Sequence, residues 1–355
     1  MASAEVAVLQ NISAAPPVGT VTRGRRALWW PRRGSKSRGF WYETAEGRRV
    51  TDEAALARIK SLAVPPAWRE VRVSPSPRSA LQAIGLDREG RVQRIYSPAF
   101  VAARSRRKYE KIERFGELLA ALRSRTNEDI AREGLGKEKV LAVVVRLIND
   151  LYFRVGSEHS VRRYRTYGVT TLRNHHLEIK QGGRLVFSFT GKHHIKHRRI
   201  LVDEELAALV RDIKALGGPH LFSYIGDDGA RRPVRPRDVN DYIKSAISPE
   251  FSAKDFRTWG GTLLAAVALA ETGCCDDERR AKRNVVAAVR RVAEHLGNTP
   301  SVCRECYIHP RVIEAYFRGQ TIEEFRPRRA RSRIVRQSPE YTVEELALLK
   351  LLRAG

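Results

Sequence analysis

The chain has 355 residues with 42% hydrophobic content, and its 66 Lys+Arg against 40 Asp+Glu leave a formal net charge of +26. That length suits about two domains with tails, and the charge excludes an inert neutral scaffold, leaving polyanions as the expected partners, with DNA or RNA ahead of anionic lipid. No run of about 18 apolar residues and no signal core occurs, and four cysteines are too few for a disulfide framework, so a soluble cytoplasmic protein with free thiols and no membrane association is expected.

Before residue 39 the cations Arg23, Arg25, Arg26, Arg32, Arg33, Lys36 and Arg38 face a single carboxylate, Glu5, among Gly, Ser and Pro. This composition predicts a disordered basic arm over 1–38. Residues 39–103 hold short alternating segments, Phe40 to Tyr42, Val71 to Val73 and Arg91 to Tyr96, punctuated by Pro65, Pro66, Pro75, Pro77 and Gly90. They read as a small β-rich domain with one helix near Glu53 to Leu62. From Arg104 the period changes. Ile112, Phe115, Leu118, Leu119 and Leu122 share a helical face, and Lys139 to Phe153 is a nearly all-apolar helix, so a mainly helical domain is expected over 104–325.

A β-meander interrupts that domain at Leu177 to Val202, where Gly182-Gly183 and Gly191-Lys192 mark tight turns. Helices resume at Asp203 to Leu216, Thr258 to Thr272 and Asn284 to Leu296; Gly297 stands where a helix-ending glycine belongs, and Pro310 can start another helix. After Phe325 the acid-free run Arg326, Arg328, Arg329, Arg331, Arg333 and Arg336 opens a basic tail, 326–355, which leads into a short apolar helix at Val343 to Leu352. The tails read equally as solvated segments or as phosphate-tracking arms. The fold class expected is α+β, a small β-rich amino-terminal domain followed by a larger helical one carrying the meander.

Several chemistries lose ground. There is no Gly-rich loop with Lys-Ser/Thr, no His-Glu-x-x-His and no pair of acidic clusters, so nucleotide hydrolysis and two-metal nuclease chemistry are not expected. Cys303-x-x-Cys306 with Cys274-Cys275 fits no common zinc finger. His193, His194 and His197 could be ligands in principle, but strand neighbours 193 and 194 would point to opposite faces. No metal and no cofactor are expected. What remains is a set of cations in order with a candidate nucleophile: Arg154 in Phe153-Arg154-Val155-Gly156, Lys192 at a hairpin tip, Arg257 opening a helix, and Tyr307 after a Gly-Asn-Thr-Pro turn at 297–300. Singly, each has a plain structural explanation as a dipole partner or a core or rim residue.

Their order, with the words around them, resembles the type IB DNA topoisomerases of the bacterial and poxvirus kind over roughly Phe40 to Phe325. The resemblance rests on Val64-Pro65-Pro66-Ala67-Trp68, Gln82 to Asp87, Gly90 to Tyr96, Tyr167-Gly168-Val169-Thr170-Thr171-Leu172, Lys254 to Gly260, and Gly297 to Pro300 followed by Tyr307-Ile308-His309-Pro310. It implies that Tyr307 is the nucleophile, Arg154 and Arg257 bind phosphate, Lys192 is the general acid, and Asn298 occupies a position filled by His or Asn, nine residues before the tyrosine. Gln93 and Tyr96 match amino-terminal positions that touch DNA, Arg94 replaces an aromatic residue found there in some members, and Arg91 and Lys254 join them as DNA-contact candidates. The implied protein is a nucleoid-associated monomer that closes its two domains on duplex DNA as a clamp.

The chemistry suits these residue types. A phosphodiester under attack gains charge on its non-bridging oxygens, and planar guanidinium groups can hold that charge bidentately. A phenol of reference pKa about 10 needs cations to favour its anion, and a 5′-alkoxide leaving group needs a proton that a lysine can deliver. Two alternatives remain. A tyrosine recombinase shares the cation and tyrosine set, but would usually bring a helical front domain and a histidine three residues before the second arginine, where this chain has Lys254. A non-enzymatic DNA-binding protein would explain the charge but not the ordered set.

Overall fold

The computed structural model describes residues 20–22, 24–325 and 341–354. The arm before residue 20, Arg23 and the arginine run at 326–340 lie outside the described residues. The chain divides into two compact units, Met1–Lys108 and Tyr109–Gly355.

The first unit is built on an antiparallel sheet of β1 (Trp30–Ser35), β2 (Gly39–Tyr42), β3 (Arg69–Val73), β4 (Leu81–Leu86) and β5 (Val92–Tyr96), in the order β2-β1-β3-β4-β5. Helix α1 (Glu53–Ser61) lies between β2 and β3 in the chain and starts on Asp52, whose carboxylate accepts from the Ala55 amide at 2.7 Å. Alternation puts Val71 and Val73 on one face of β3, where they pack with Tyr42, Ile59, Trp68, Ala83 and Ile95 into a small core.

Strand β1 corrects the expected extent of the basic arm, since residues 30–35 belong to the sheet. Their arginines have internal work. Arg32 donates to the carbonyls of Pro65 (3.1 Å) and Trp68 (2.6 Å) and lies 4.2 Å over the Phe40 ring, while Arg33 pairs with Glu43 at 2.7 Å. A count of cations cannot separate such partnered guanidinium groups from free ones.

The division between units falls within α2 (Pro98–Glu117). Ile112 and Phe115 on α2, and Leu119 and Leu122 on α3 (Leu119–Ile130), are buried as the shared face predicts, with Leu118 at the break between the helices. Helix α4 (Lys137–Leu151) is the axis of the second unit, and every residue from Val140 to Ile148 is buried. Around it run α5 (Glu158–Tyr164), the meander β6 (Leu177–Lys180), β7 (Arg184–Thr190) and β8 (Lys196–Val202), and α6 (Glu204–Ala215). There follow a two-stranded ribbon, β9 (Ser223–Ile225) with β10 (Arg231–Pro233), and α7 (Pro236–Ala246), α8 (Ala253–Thr272), α9 (Glu278–Leu296), α10 (Pro300–Cys306), α11 (Pro310–Phe317) and α12 (Val343–Arg353).

Helix α12 corrects the reading of 326–355 as a basic tail. Leu348, Leu351 and Leu352 are buried in the same core as α4. Thr342 and Glu345 form a capping box, and Glu345 takes both prongs of Arg123 at 2.9 and 2.7 Å. The apolar stripe at 343–352 marks the helix, as expected; its packing into the core is what the run of arginines before it obscures.

Candidate active site

Arg154, Lys192, Arg257, Asn298 and Tyr307 come from five separate segments of the second unit, and local backbone features position each one. Helix α4 ends when Tyr152 adopts a left-handed conformation, φ 52°, which turns the chain out of the helix two residues before Arg154. The segment after it is buttressed by the Tyr167 to Thr171 motif. The Val169 amide donates to the Arg154 carbonyl at 2.8 Å, and the Thr170 amide to that of Val155 at 2.9 Å. Gly168 permits the contact, because a Cβ there would lie 2.5 Å from the Arg154 carbonyl oxygen.

Arg257 does not open its helix, as the sequence suggested. Helix α8 begins at Ala253, with Ser252 and Asp255 forming the capping box, so Arg257 sits one turn inside and is only 5% exposed. Its guanidinium donates to the Leu296 carbonyl at 2.7 Å and to the Tyr152 carbonyl, and so ties together the ends of α9 and α4. The Gly-Gly-Thr that follows holds the tyrosine. Gly261 brings the helix so close to Tyr307 that a Cβ would lie 2.6 Å from its carbonyl, and the Thr262 hydroxyl lies 3.3 Å from the same oxygen. Sequence reasoning missed Thr262 and the role of the paired glycines, although both stand within five residues of Arg257.

Helix α9 ends at Leu296 on left-handed Gly297, φ 60°, and the next side chain, Asn298, accepts from Arg154 Nη2 at 2.6 Å. Tyr307 caps the end of α10, with the Arg257 guanidinium 5.3 Å from its ring centroid. Lys192 lies in the β7–β8 turn, closed by the Gly191 amide on the Ile195 carbonyl at 2.8 Å. His193 and His194 there are in the left-handed region, φ 64° and 59°. The expectation that these two histidines occupy opposite faces of a strand is therefore corrected: they belong to the turn, and His197 alone of the three lies on β8. Among the described residues no group of three or more His, Cys, Asp or Glu could hold a metal ion.

Arg154, Lys192, Arg257 and Tyr307 line one open cavity of about 510 Å³, together with Lys244, Lys254 and Ser252, and among the described residues no carboxylate belongs to its wall. The concentration of positive charge shows in the ionisation of its members. Burial and then the neighbouring Arg257 push Arg154 down to about 10, against the favourable field of Tyr307. Burial lowers Arg257 as well. Lys192 is lowered by burial first, then by Arg154, Lys254 and Arg257. Such a cluster favours an anion in the cavity, since one negative ligand relieves several like-charge repulsions at once.

The DNA-contact candidates of the first unit are partly engaged at home. Gln93 is buried and donates to Asp87 at 2.9 Å, while Arg91 pairs with Asp87 at 2.6 Å and with Glu89 at 2.8 Å. Arg94 is half-buried on β5, Tyr96 stacks on Phe100 at 5.1 Å between centroids, and Lys254 in the second unit is exposed at the cavity.

One buried histidine, His176, and one half-buried histidine, His197, make folding sensitive to acid. Burial, reinforced by neighbouring cations, holds His176 and His197 at about 4, against an ordinary value of 6.5. Below pH 6.5 the unfolded chain binds protons that the folded chain refuses. The stability they contribute is fully present above that pH and is lost as the pH falls toward about 4. The melting temperature is expected to fall between about pH 6.5 and 5, above most carboxylate titrations. His176→Asn should flatten that fall in a calorimetric pH series.

No helix among the described residues is long and apolar enough to cross a membrane. The family model for the catalytic core of eukaryotic DNA topoisomerase I matches residues 97–332, and that for the amino-terminal domain of bacterial DNA topoisomerase IB matches residues 39–87. A DNA topoisomerase 1B of Acanthamoeba polyphaga mimivirus is 30% identical over 268 residues, covering 74% of this chain and 80% of that protein. DNA topoisomerase 1B of Vaccinia virus (strain Copenhagen) is 22% identical across 65% of this chain and 71% of its own, and DNA topoisomerase 1 of Mycosarcoma maydis 26% identical across 47% and 18%. With a catalytic-core match that spans every residue lining the cationic cavity and a front-domain match of the bacterial kind, the chain belongs to the type IB DNA topoisomerases, isomerases that relax supercoiled duplex DNA.

Proposed function

We propose that Tyr307 attacks a backbone phosphodiester of duplex DNA and that Arg154, Arg257, Asn298 and Lys192 support the transfer. The phenolic oxygen gives up its proton to solvent and forms a bond to phosphorus as the bond to the 5′-oxygen breaks, which leaves a 3′-phosphotyrosyl ester and a free 5′-hydroxyl. Arg154 and Arg257 hold the non-bridging oxygens as charge builds on them, and their field favours the phenolate. Asn298 orients Arg154 through their 2.6 Å hydrogen bond. Lys192 protonates the departing 5′-oxygen and recovers that proton when the hydroxyl attacks in reverse. The ester conserves the energy of the bond broken, so resealing needs neither nucleotide nor metal.

The observation that carries this reading is the convergence of Arg154, Lys192, Arg257 and Tyr307 on one cavity that has no carboxylate among the described residues lining it. The protein is expected to act as a monomer in the nucleoid, with the first unit adding contacts to the duplex through Arg94 and Tyr96 and the second through Lys254. Plasmid relaxation in EDTA without ATP tests the activity, and detergent quenching tests the linkage. Relaxation through many supercoils with protein left on the 3′ end is the expected result, whereas dependence on paired DNA sites would indicate a recombinase.

The role of Lys192 is separable from that of the arginines. Lys192→Ala should slow cleavage of ordinary DNA by about 10²-fold or more. Replacing the bridging 5′-oxygen with sulfur gives a thiolate leaving group that needs no proton, so the same variant should cleave that substrate nearly as fast as the unaltered protein. Because Lys192 is lowered from 10.5, the alkaline limb of the cleavage rate should lie below that value. Lys254→Ala, which removes one of the responsible charges, should move it upward.

A further inference from the structure

His197 has no part in the proposed strand transfer, yet its ring touches the backbone beside two of the proposed catalytic side chains. A Cβ on Gly297, the residue before Asn298, would lie 2.2 Å from His197 Cε1. A Cβ on Gly191, the residue before Lys192, would lie 2.5 Å from Cδ2 of the same ring. The remaining flank is closed by Phe189, its cross-strand partner, stacked at 5.1 Å with 30° between the ring planes. One imidazole thus fills the gap between the β7–β8 turn and the end of α9.

Gly297 is in the left-handed region, φ 60°, where glycine is favoured for backbone reasons alone. Gly191 is different: at φ −95° and ψ −171° any residue could stand there, so the close ring explains the absence of a side chain. Arg154, Lys192, Arg199 and Arg257 line a small cavity together with His197. A planar ring that remains uncharged suits this place, because a fifth cation would push the cluster apart.

We propose that His197 is a positioning residue for strand cleavage, a spacer whose shape sets the Lys192 turn against the Gly297-Asn298 segment. It touches both backbones and requires no contact with DNA. The inference rests on the assignment of Lys192 as general acid, so Lys192→Ala is measured in parallel.

The test is single-turnover cleavage of ordinary and sulfur-bridged DNA, with duplex affinity measured in a Tyr307→Phe background. His197→Ala should lower cleavage of ordinary DNA by about 10- to 100-fold, the scale of a misplacement of about 1 Å. Affinity should hold, and the deficit on the sulfur substrate should shrink, because a displaced lysine no longer matters there. His197→Phe, planar but without nitrogens, should recover most of the rate. Gly191→Ala should slow cleavage alone and add nothing in the His197→Ala background, since the clash needs the ring. This pair also keeps the test open if His197→Ala folds poorly.

Full activity of His197→Ala, or additive losses in the Gly191→Ala/His197→Ala double variant, would overturn the proposal. So would a His197→Phe rate as low as that of His197→Ala, which would make the imidazole nitrogens the working groups. A normal cleavage rate for Lys192→Ala would instead remove the general-acid assignment itself.

Discussion

Tyr307→Phe is expected to abolish the covalent adduct while leaving duplex affinity within about twofold. The phenolic oxygen is the only atom removed. The ring stays over Arg257, and the backbone around it is held independently, by the Thr262 hydroxyl near its carbonyl and by its own amide on the Cys303 carbonyl at 2.9 Å. The fold should therefore be unchanged, and the loss should be confined to bond formation at phosphorus. The readout is a detergent-trapped 3′ adduct on end-labelled DNA. An adduct that survives in the variant would send the search for the nucleophile elsewhere. Tyr316 and Tyr341 are weak substitutes: Tyr316 is engaged with Asn284 and the Gly273 carbonyl, and the Tyr341 hydroxyl donates to the Glu117 carbonyl.

Arg257→Ala is expected to lower the cleavage rate by about 10³-fold, or roughly 4 kcal/mol of transition-state stabilisation. Sulfur at the bridging position should not restore it, since charge on the non-bridging oxygens develops with either leaving group. Arg257 is also structural, because its two prongs satisfy the carbonyls of Leu296 and Tyr152 at the ends of two helices. Arg257→Lys keeps a charge but cannot present the same fork, so one of those buried carbonyls loses its donor at about 1–3 kcal/mol. Cleavage should then fall by at least about 10²-fold with a moderate drop in melting temperature. A drop in melting temperature with cleavage unaltered would make Arg257 a helix tie and nothing more.

Much of the helical unit was legible from the chain alone. Apolar periodicity located α4, α6 and α9 to within a few residues, except at the start of α9, where Glu278 precedes the expected Asn284 by almost two turns because its first turns are charged. The paired turn signals at Gly182-Gly183 and Gly191-Lys192 located the meander, and the apolar run before residue 353 located α12. Helix α7 went unseen, since its apolar positions, Val239, Tyr242 and Ile243, are too few to set a period. Strand β1 was hidden by its own arginines.

The available chemistry can be read along the chain: a polycation with ordered arginines, a lysine at a Gly-Lys turn and a tyrosine after a Gly-Asn-Thr-Pro turn. These are properties of residue type and local spacing, which a linear chain carries in full. Folding in three dimensions is what makes Arg154 meet Asn298 at 2.6 Å, buries Arg257 while Lys254 is exposed, and turns Gln93 and Arg91 inward to Asp87. It alone brought His197 between Gly191 and Gly297. Distances across more than a hundred residues depend on how α4, α8 and α9 pack around their shared apolar core, and no local pattern in the chain records that packing.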